Sequence, residues 1–158
     1  MPAKAYSLED LAAEQEALAL DRFDYDFAWK LGAAMRARAA ASRAPVAIEI
    51  AHGTDLVFSI LLPGATPDNS DWAARKRAVA NRFHRSSLAM RIEAEEQGYD
   101  FNRRFRLPDA AFAASGGGVP LILRSGTLIG TAGVSGLPDV EDHRLIADSL
   151  REILGRSA

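Results

Sequence analysis

Apolar residues recur along the chain with two different periods. Leu8, Leu11, Ala12, Gln15 and Leu18 form a mostly apolar stripe at helical spacing from about 8 to 18, with Ser7 before it as N-cap and Glu9 and Asp10 in the first turn. After a short extended link, Ala28, Leu31, Met35 and Ala39 share the face of a second helix, which Asp24 or Asp26 can cap and Pro45 closes. The period then shortens. Runs 46–51 and 56–62 are β-branched and aliphatic around His52-Gly53-Thr54-Asp55, the pattern of a hairpin with a four-residue loop, and Pro63-Gly64 ends the second strand.

Helical spacing returns with Trp72, Val79 and Phe83, after turn residues 66–71 in which Ser70 or Asp68 is available as the cap. A break near Arg85-Ser86-Ser87 opens another helix over 88–97, stopped by Gly98, with either serine as its cap. Residues 99–114 are less periodic and Pro108 interrupts them, leaving room for an alanine-rich helical turn at 109–114. A connection as long as 99–118 reads as a lid, a partner contact or a helix not visible in the pattern. Gly116 to Gly118 then form a glycine turn, Pro120 leads into a strand at 121–123, and Ser125-Gly126 turns into a second strand at 128–134. Asp139 caps the last helix, whose stripe is Leu145, Ile146, Leu150, Ile153 and Leu154 before Gly155. The order α, α, β, β, α, α, a weak segment, β, β, α predicts an α/β protein of the α+β type, with helices flanking a mostly antiparallel sheet.

The chain's 158 residues suit a single domain, and its net charge of −2 gives no global attraction to nucleic acid or an anionic membrane. With no cysteine there is no disulfide, thiolate nucleophile or cysteine-ligated metal, and no apolar run is long enough to span a bilayer, so a cytoplasmic location is expected. Positive charge is nevertheless concentrated. Arg75, Lys76, Arg77, Arg82, Arg85 and Arg91 lie within 71–91 with Asp71 as the lone acid. This ridge could meet a ligand's carboxylate or phosphate, or be a solvated face paired with Glu93, Glu95 and Glu96. No two of His52, His84 and His143 share a helical i, i+3 or i, i+4 spacing, so local sequence builds no metal pair. Ser135 sits in Gly-Val-Ser-Gly-Leu, which is not a nucleophile elbow, and the glycines form neither a dinucleotide nor a P-loop signature. The residues that converge best on ligand binding are Arg75, Lys76, Arg82 and His84 on the basic helix, with Gly116, Gly117, Gly118, Ser135 and Gly136 at the two glycine corners. Trp72, Phe83, Phe101 and Phe105 read as core or interface anchors.

Four blocks occur in order: TPDNSDWAARK from Thr66, FHRSS from Phe83, GGGVP from Gly116, and IGTAGVSGLPDVEDH from Ile129. Together they resemble the UPF0303 family, within the heme-degrading-domain (GlcG/HbpS-like) superfamily, over residues 8 to 154. The resemblance implies a profilin-like fold, an antiparallel sheet with helices on both faces, in a homo-oligomer of at least two chains. It also brings in heme as a possible ligand. Where the family pattern has a His-Gly-Gly run and an aromatic-Pro pair, this chain has Ser115-Gly116-Gly117 and Val119-Pro120. The leading expectation is a small-ligand-binding domain for heme or another anionic planar molecule. A non-catalytic homo-oligomeric scaffold comes second and a heme-degrading enzyme third, the last weakened by Ser115 in place of the histidine.

Overall fold

The computed structural model describes residues 5–156. Ten elements follow in chain order: α1 Leu8–Ala17, α2 Tyr25–Ala41, β1 Ala47–His52, β2 Asp55–Leu61, α3 Pro67–Phe83, α4 Ser87–Gln97, α5 Phe101–Phe105, β3 Gly118–Ile122, β4 Leu128–Ser135 and α6 Asp139–Leu154. The strands make one antiparallel sheet in the order β2-β1-β4-β3, so two hairpins are joined through β1 and β4. This is the expected α+β architecture, with helices on both faces.

Strand alternation decides which helix covers which face. Ile48 and Ile50 of β1, with Val46 just before it, join Leu31 and Met35 of α2 and Ile146 and Leu150 of α6 in the main core. The alternate residue Glu49 faces the other way and accepts hydrogen bonds from Arg77 of α3 at 3.0 and 3.1 Å. Gly133 pairs with Glu49 across the sheet, and a Cβ on it would meet the Arg77 side chain. Gly133 of β4 and Gly118 of β3 leave room on this face for α3 to lie close. A second core sits outside α3: Val79, Met90, Ala94 and Phe101 are buried with Phe83 and Phe105 packed on them, ring centroids 4.9–5.4 Å apart. The aperiodic segment therefore hides a short helix, α5. The turn expected at 109–114 is not helical, because after Pro108 the chain is held by Asn102 Nδ2 donating to the Phe112 carbonyl and by the Ala113 N–H reaching Arg75 O.

Several boundaries differ from expectation for local reasons. The first hairpin turns on Gly53 and Thr54 alone, since His52 and Asp55 still pair. Helix α3 starts at Pro67 with Thr66 as N-cap, earlier than Ser70 or Asp68 would set it, because proline's fixed φ and missing N–H suit the first helical position. In α6 Pro138 takes the cap position and Asp139 is the first helical residue. Ser86 caps α4 by accepting from Ala89 N, and Asp24 caps α2 by accepting from Phe27 N.

Candidate functional site

Lys76 and the two glycine corners singled out by sequence converge, and Lys76 is there half of a buried ion pair. Lys76 is 3% exposed and Asp142 0%, with Lys76 Nζ donating to Asp142 Oδ2 at 2.9 Å and to the Val134 carbonyl at 3.1 Å. Leu137 N and Gly136 N donate to the same carboxylate at 3.0 and 3.3 Å. Burial still wins: it raises the Asp142 carboxyl to about 6, against the pull of Lys76 and the two backbone donors. A Cβ on Gly117 (φ +125°) would press on Lys76 Nζ and on the Asp142 side chain, and one on Gly118 would overlap the Lys76 carbonyl. Ser135 is buried between Val134 and Gly136, each of which bonds one member of this pair. Two amides of the glycine turn are consumed inside the fold, Gly116 N by Asp139 Oδ2 at 2.9 Å and Gly118 N by Ser87 Oγ at 2.8 Å. These glycines admit backbone of α3 and α6, and Lys76 belongs to the interior and not to a basic ridge.

The rest of the ridge is largely partnered. Arg75 pairs with Asp71 at 2.9 Å and stacks on Trp72, Arg77 pairs with Glu49, Arg85 with Glu93 at 3.2 Å, and Arg91 with Glu95 at 2.8 Å and Asp139 at 2.6 Å. Arg82 is exposed, its guanidinium 5.9 Å from the Phe112 ring centre. His84 is exposed too, in the left-handed conformation (φ 57°) that ends α3. The paired solvated face is the better description of this helix, with Glu93 and Glu95 among its partners.

A second buried polar cluster lies between α1 and α6, and sequence reading did not find it. Glu14 Oε1 is 2.6 Å from His143 Nε2, and Glu14 Oε2 accepts from Tyr6 OH at 3.0 Å and Arg151 Nη2 at 2.5 Å. Burial works against the Glu14 charge, but the His143, Arg151 and Tyr6 hydrogen bonds outweigh it and lower the carboxyl's pKa. Burial, with Glu14 beside it, pushes the Tyr6 hydroxyl up to about 12. His143 is 2% exposed, and its Nδ1 has no hydrogen-bond partner among the described residues. This histidine falls one residue past the first turn of α6, and its carboxylate partner was not legible in the sequence.

This cluster closes the inner end of a groove. A cavity of about 20 Å³ bordered by Glu14, His143, Ser86, Val119 and Leu150 adjoins an open groove of about 370 Å³ under α1. Leu8, Leu11, Ala12, Ala19, Ala89 and Ile122 make the groove apolar, and Gln15, Glu16 and Arg85 supply its polar groups. Gln15 Nε2 donates to the His84 carbonyl at 2.8 Å, which brings the end of α3 to the groove's side. The volume and the apolar lining with few polar groups are those of a small-molecule site. Among the described residues no group of three or more His, Asp or Glu is placed to hold a metal ion, and no helix is long and apolar enough to cross a membrane.

Comparison with known proteins agrees with this architecture. A UPF0303 protein of Rhizobium meliloti is 40% identical over 148 residues, 94% of this chain and 90% of that protein, and one of Paraburkholderia phymatum is 41% identical over 152 residues, 96% and 92% of the two. Among solved structures, the Ybr137w protein superposes with a TM-score of 0.88 at 27% identity, covering 96% of this chain and 90% of that one. The PduOC:heme complex has a TM-score of 0.69 at 20% identity, covering 81% and 92%, and HbpS 0.67 at 16%, covering 85% and 92%; both share the fold. The family model described as haem degrading protein HbpS-like matches residues 23–151, and with the UPF0303 relatives it assigns the chain: this protein belongs to the HbpS-like family, in its UPF0303 group.

Proposed function

We propose that this protein binds a small amphipathic, anionic ligand in the groove under α1, and that heme is the first candidate. The observation that carries the reading is the groove itself: about 370 Å³, lined mostly by apolar side chains, with Arg85 as its cation. An apolar ring edge would lie against Leu11, Ala89 and Ile122, and an acidic substituent would compete with Glu93 for Arg85. Gln15 ties the backbone carbonyl of His84 to the groove's side, and the His84 residue is exposed. The family's description names heme degradation, and the PduOC structure is of a heme complex, which supports trying heme first. The test is an absorbance titration with hemin. Saturable movement of the Soret band, weakened about tenfold or more by Ala12→Trp at the groove's exposed wall, is expected. A flat titration, or one indifferent to Ala12→Trp, would reject the groove; His84→Ala reports separately whether that ring touches iron.

A second reading, a homo-oligomeric scaffold, has its own observation. Strand β2 lies at the edge of the sheet, and around it Trp29 is 67%, Leu56 50% and Leu61 42% exposed. Edges of this kind are ordinarily covered or charged. Sedimentation at micromolar concentration should show at least a dimer, and a monomer there would remove this reading.

A further inference from the structure

Where the link before α2, the end of β1 and the β3–β4 hairpin meet, a pocket of about 250 Å³ is lined by Phe23, Asp24, Tyr25, His52, Leu123 and Ile129. It shares no lining residue with the groove under α1. Three rings border it in mutual contact: Phe23 to His52 at 5.5 Å, Tyr25 to His52 at 5.7 Å and Phe23 to Tyr25 at 6.5 Å between centroids. Tyr25 OH and His52 Nδ1 are 3.0 Å apart, so each ring fixes the other. The walls are fixed by backbone as well, with Leu20 N donating to Ile122 O at 2.8 Å, Arg124 N to Leu20 O at 2.9 Å and Gly53 N to Ile129 O at 2.9 Å.

Rings gathered only for packing would be covered, yet Tyr25 is 62% exposed. Aromatic surface that is held rigid, concave and open to water is preorganised for a flat partner, since little side-chain entropy remains to be lost on binding. With Nδ1 engaged by Tyr25, Nε2 is the imidazole nitrogen left for a ligand; it donates in one tautomer and accepts in the other. Asp24 adds a carboxylate to the lining and disfavours anions. The volume suits one or two fused rings. We propose that Phe23, Tyr25 and His52 form a second binding site, for a neutral or protonated nitrogen heteroaromatic of that size, opposite in charge preference to the anionic ligand of the groove.

Benzimidazole is a suitable probe, followed by the Cε1–H resonances of the three histidines in the full-length protein. The His52 signal should move saturably, with a dissociation constant on the order of 1 mM or tighter, while those of His84 and His143 stay in place. Tyr25→Ala, an exposed position at the start of α2, should weaken binding about tenfold. Asp24→Asn keeps a good N-cap and should weaken the protonated probe more than the neutral one. Benzimidazole-5-carboxylate should bind more weakly than benzimidazole. A His52 signal unmoved at about 10 mM probe, or an undiminished shift in a folded Tyr25→Ala variant, would overturn the site; equal binding of the carboxylate would overturn its charge preference. Because the groove shares no lining residue with this pocket, a negative hemin titration leaves the result readable.

Discussion

Replacing Lys76 with methionine tests the interior at its most constrained point. Methionine keeps the length and apolar stem of the lysine and removes the cation, which takes away the 2.9 Å contact to Asp142 and the 3.1 Å contact to Val134 O. Asp142, 0% exposed, would keep only the N–H groups of Gly136 and Leu137. Removing one partner of a buried pair costs about 3–5 kcal/mol, a large part of the roughly 5–15 kcal/mol that holds a domain folded. For a chain of this size that is a fall in Tm of about 6–20 °C. The loss should also depend on pH. Asp142 already titrates near 6, above its ordinary 3.8, so its carboxyl favours the fold most when protonated. That contribution, about 3 kcal/mol for a rise of roughly two units, is present below pH 3.8 and is lost as pH rises through the folded value of about 6. Without Lys76 the folded value moves higher still. The gap between wild type and Lys76→Met in urea unfolding should therefore be widest near pH 8 and narrow towards pH 5. The double variant Lys76→Met/Asp142→Asn, with no charge left to strand, should recover most of the loss at pH 8. A Lys76→Met cost under about 1 kcal/mol, or one that does not change with pH, would show that the buried carboxylate is not what Lys76 offsets.

Other outcomes follow from the same structure. Glu14→Gln should cost about 3 kcal/mol in chemical denaturation, because His143, Arg151 and Tyr6 all lose a charged partner. The Glu14 pKa is lowered in the fold, so its contribution is present above its ordinary 4.5 and lost as pH falls through the folded value; the variant should lack this part of the acid unfolding seen by circular dichroism. Gly118→Ala should destabilise by about 1–3 kcal/mol in the same assay, since the added methyl overlaps the Lys76 carbonyl and pushes α3 from the sheet. A groove ligand at 100 times its dissociation constant should add about 2.7 kcal/mol, read as a rise in Tm of roughly 5–11 °C in a thermal-shift experiment.

Element type was readable wherever the apolar period was clean. In α6, Ile146, Leu150 and Ile153 announce the helix and its buried face, and in β1 the aliphatic run announces a strand. Segment 99–118 was harder because α5 has only five residues, too few to display a period, and its anchors Phe101 and Phe105 pack against Phe83 from another helix. The interior ions were misread for a different reason. Counting charges along 71–91 puts Lys76 with its basic neighbours, but Ala73, Lys76 and Ala80 recur at helical spacing on the buried side of α3. Glu14 likewise falls between Leu11 of α1 and Leu18, which caps that helix, and His143 precedes Ile146 and Leu150 on the stripe of α6. A charged residue at a core position of a helical stripe is the signal that would have found both pairs. It names the buried ion but not its partner, since Glu14 and His143 are 129 positions apart. The glycines at 116–118 were legible as a turn; that they make room for the chain's own backbone and not for a ligand is a tertiary fact.

The claim that a ligand seats under α1 is tested most directly by hydrogen exchange of the full-length protein with and without hemin, read peptide by peptide. Ligand in the groove should slow exchange in α1 and in the start of α4, the elements that carry Leu11, Gln15 and Ala89, while β2 exchanges as before. Unchanged exchange in α1 under hemin concentrations that shift the Soret band would place the ligand elsewhere and contradict the account.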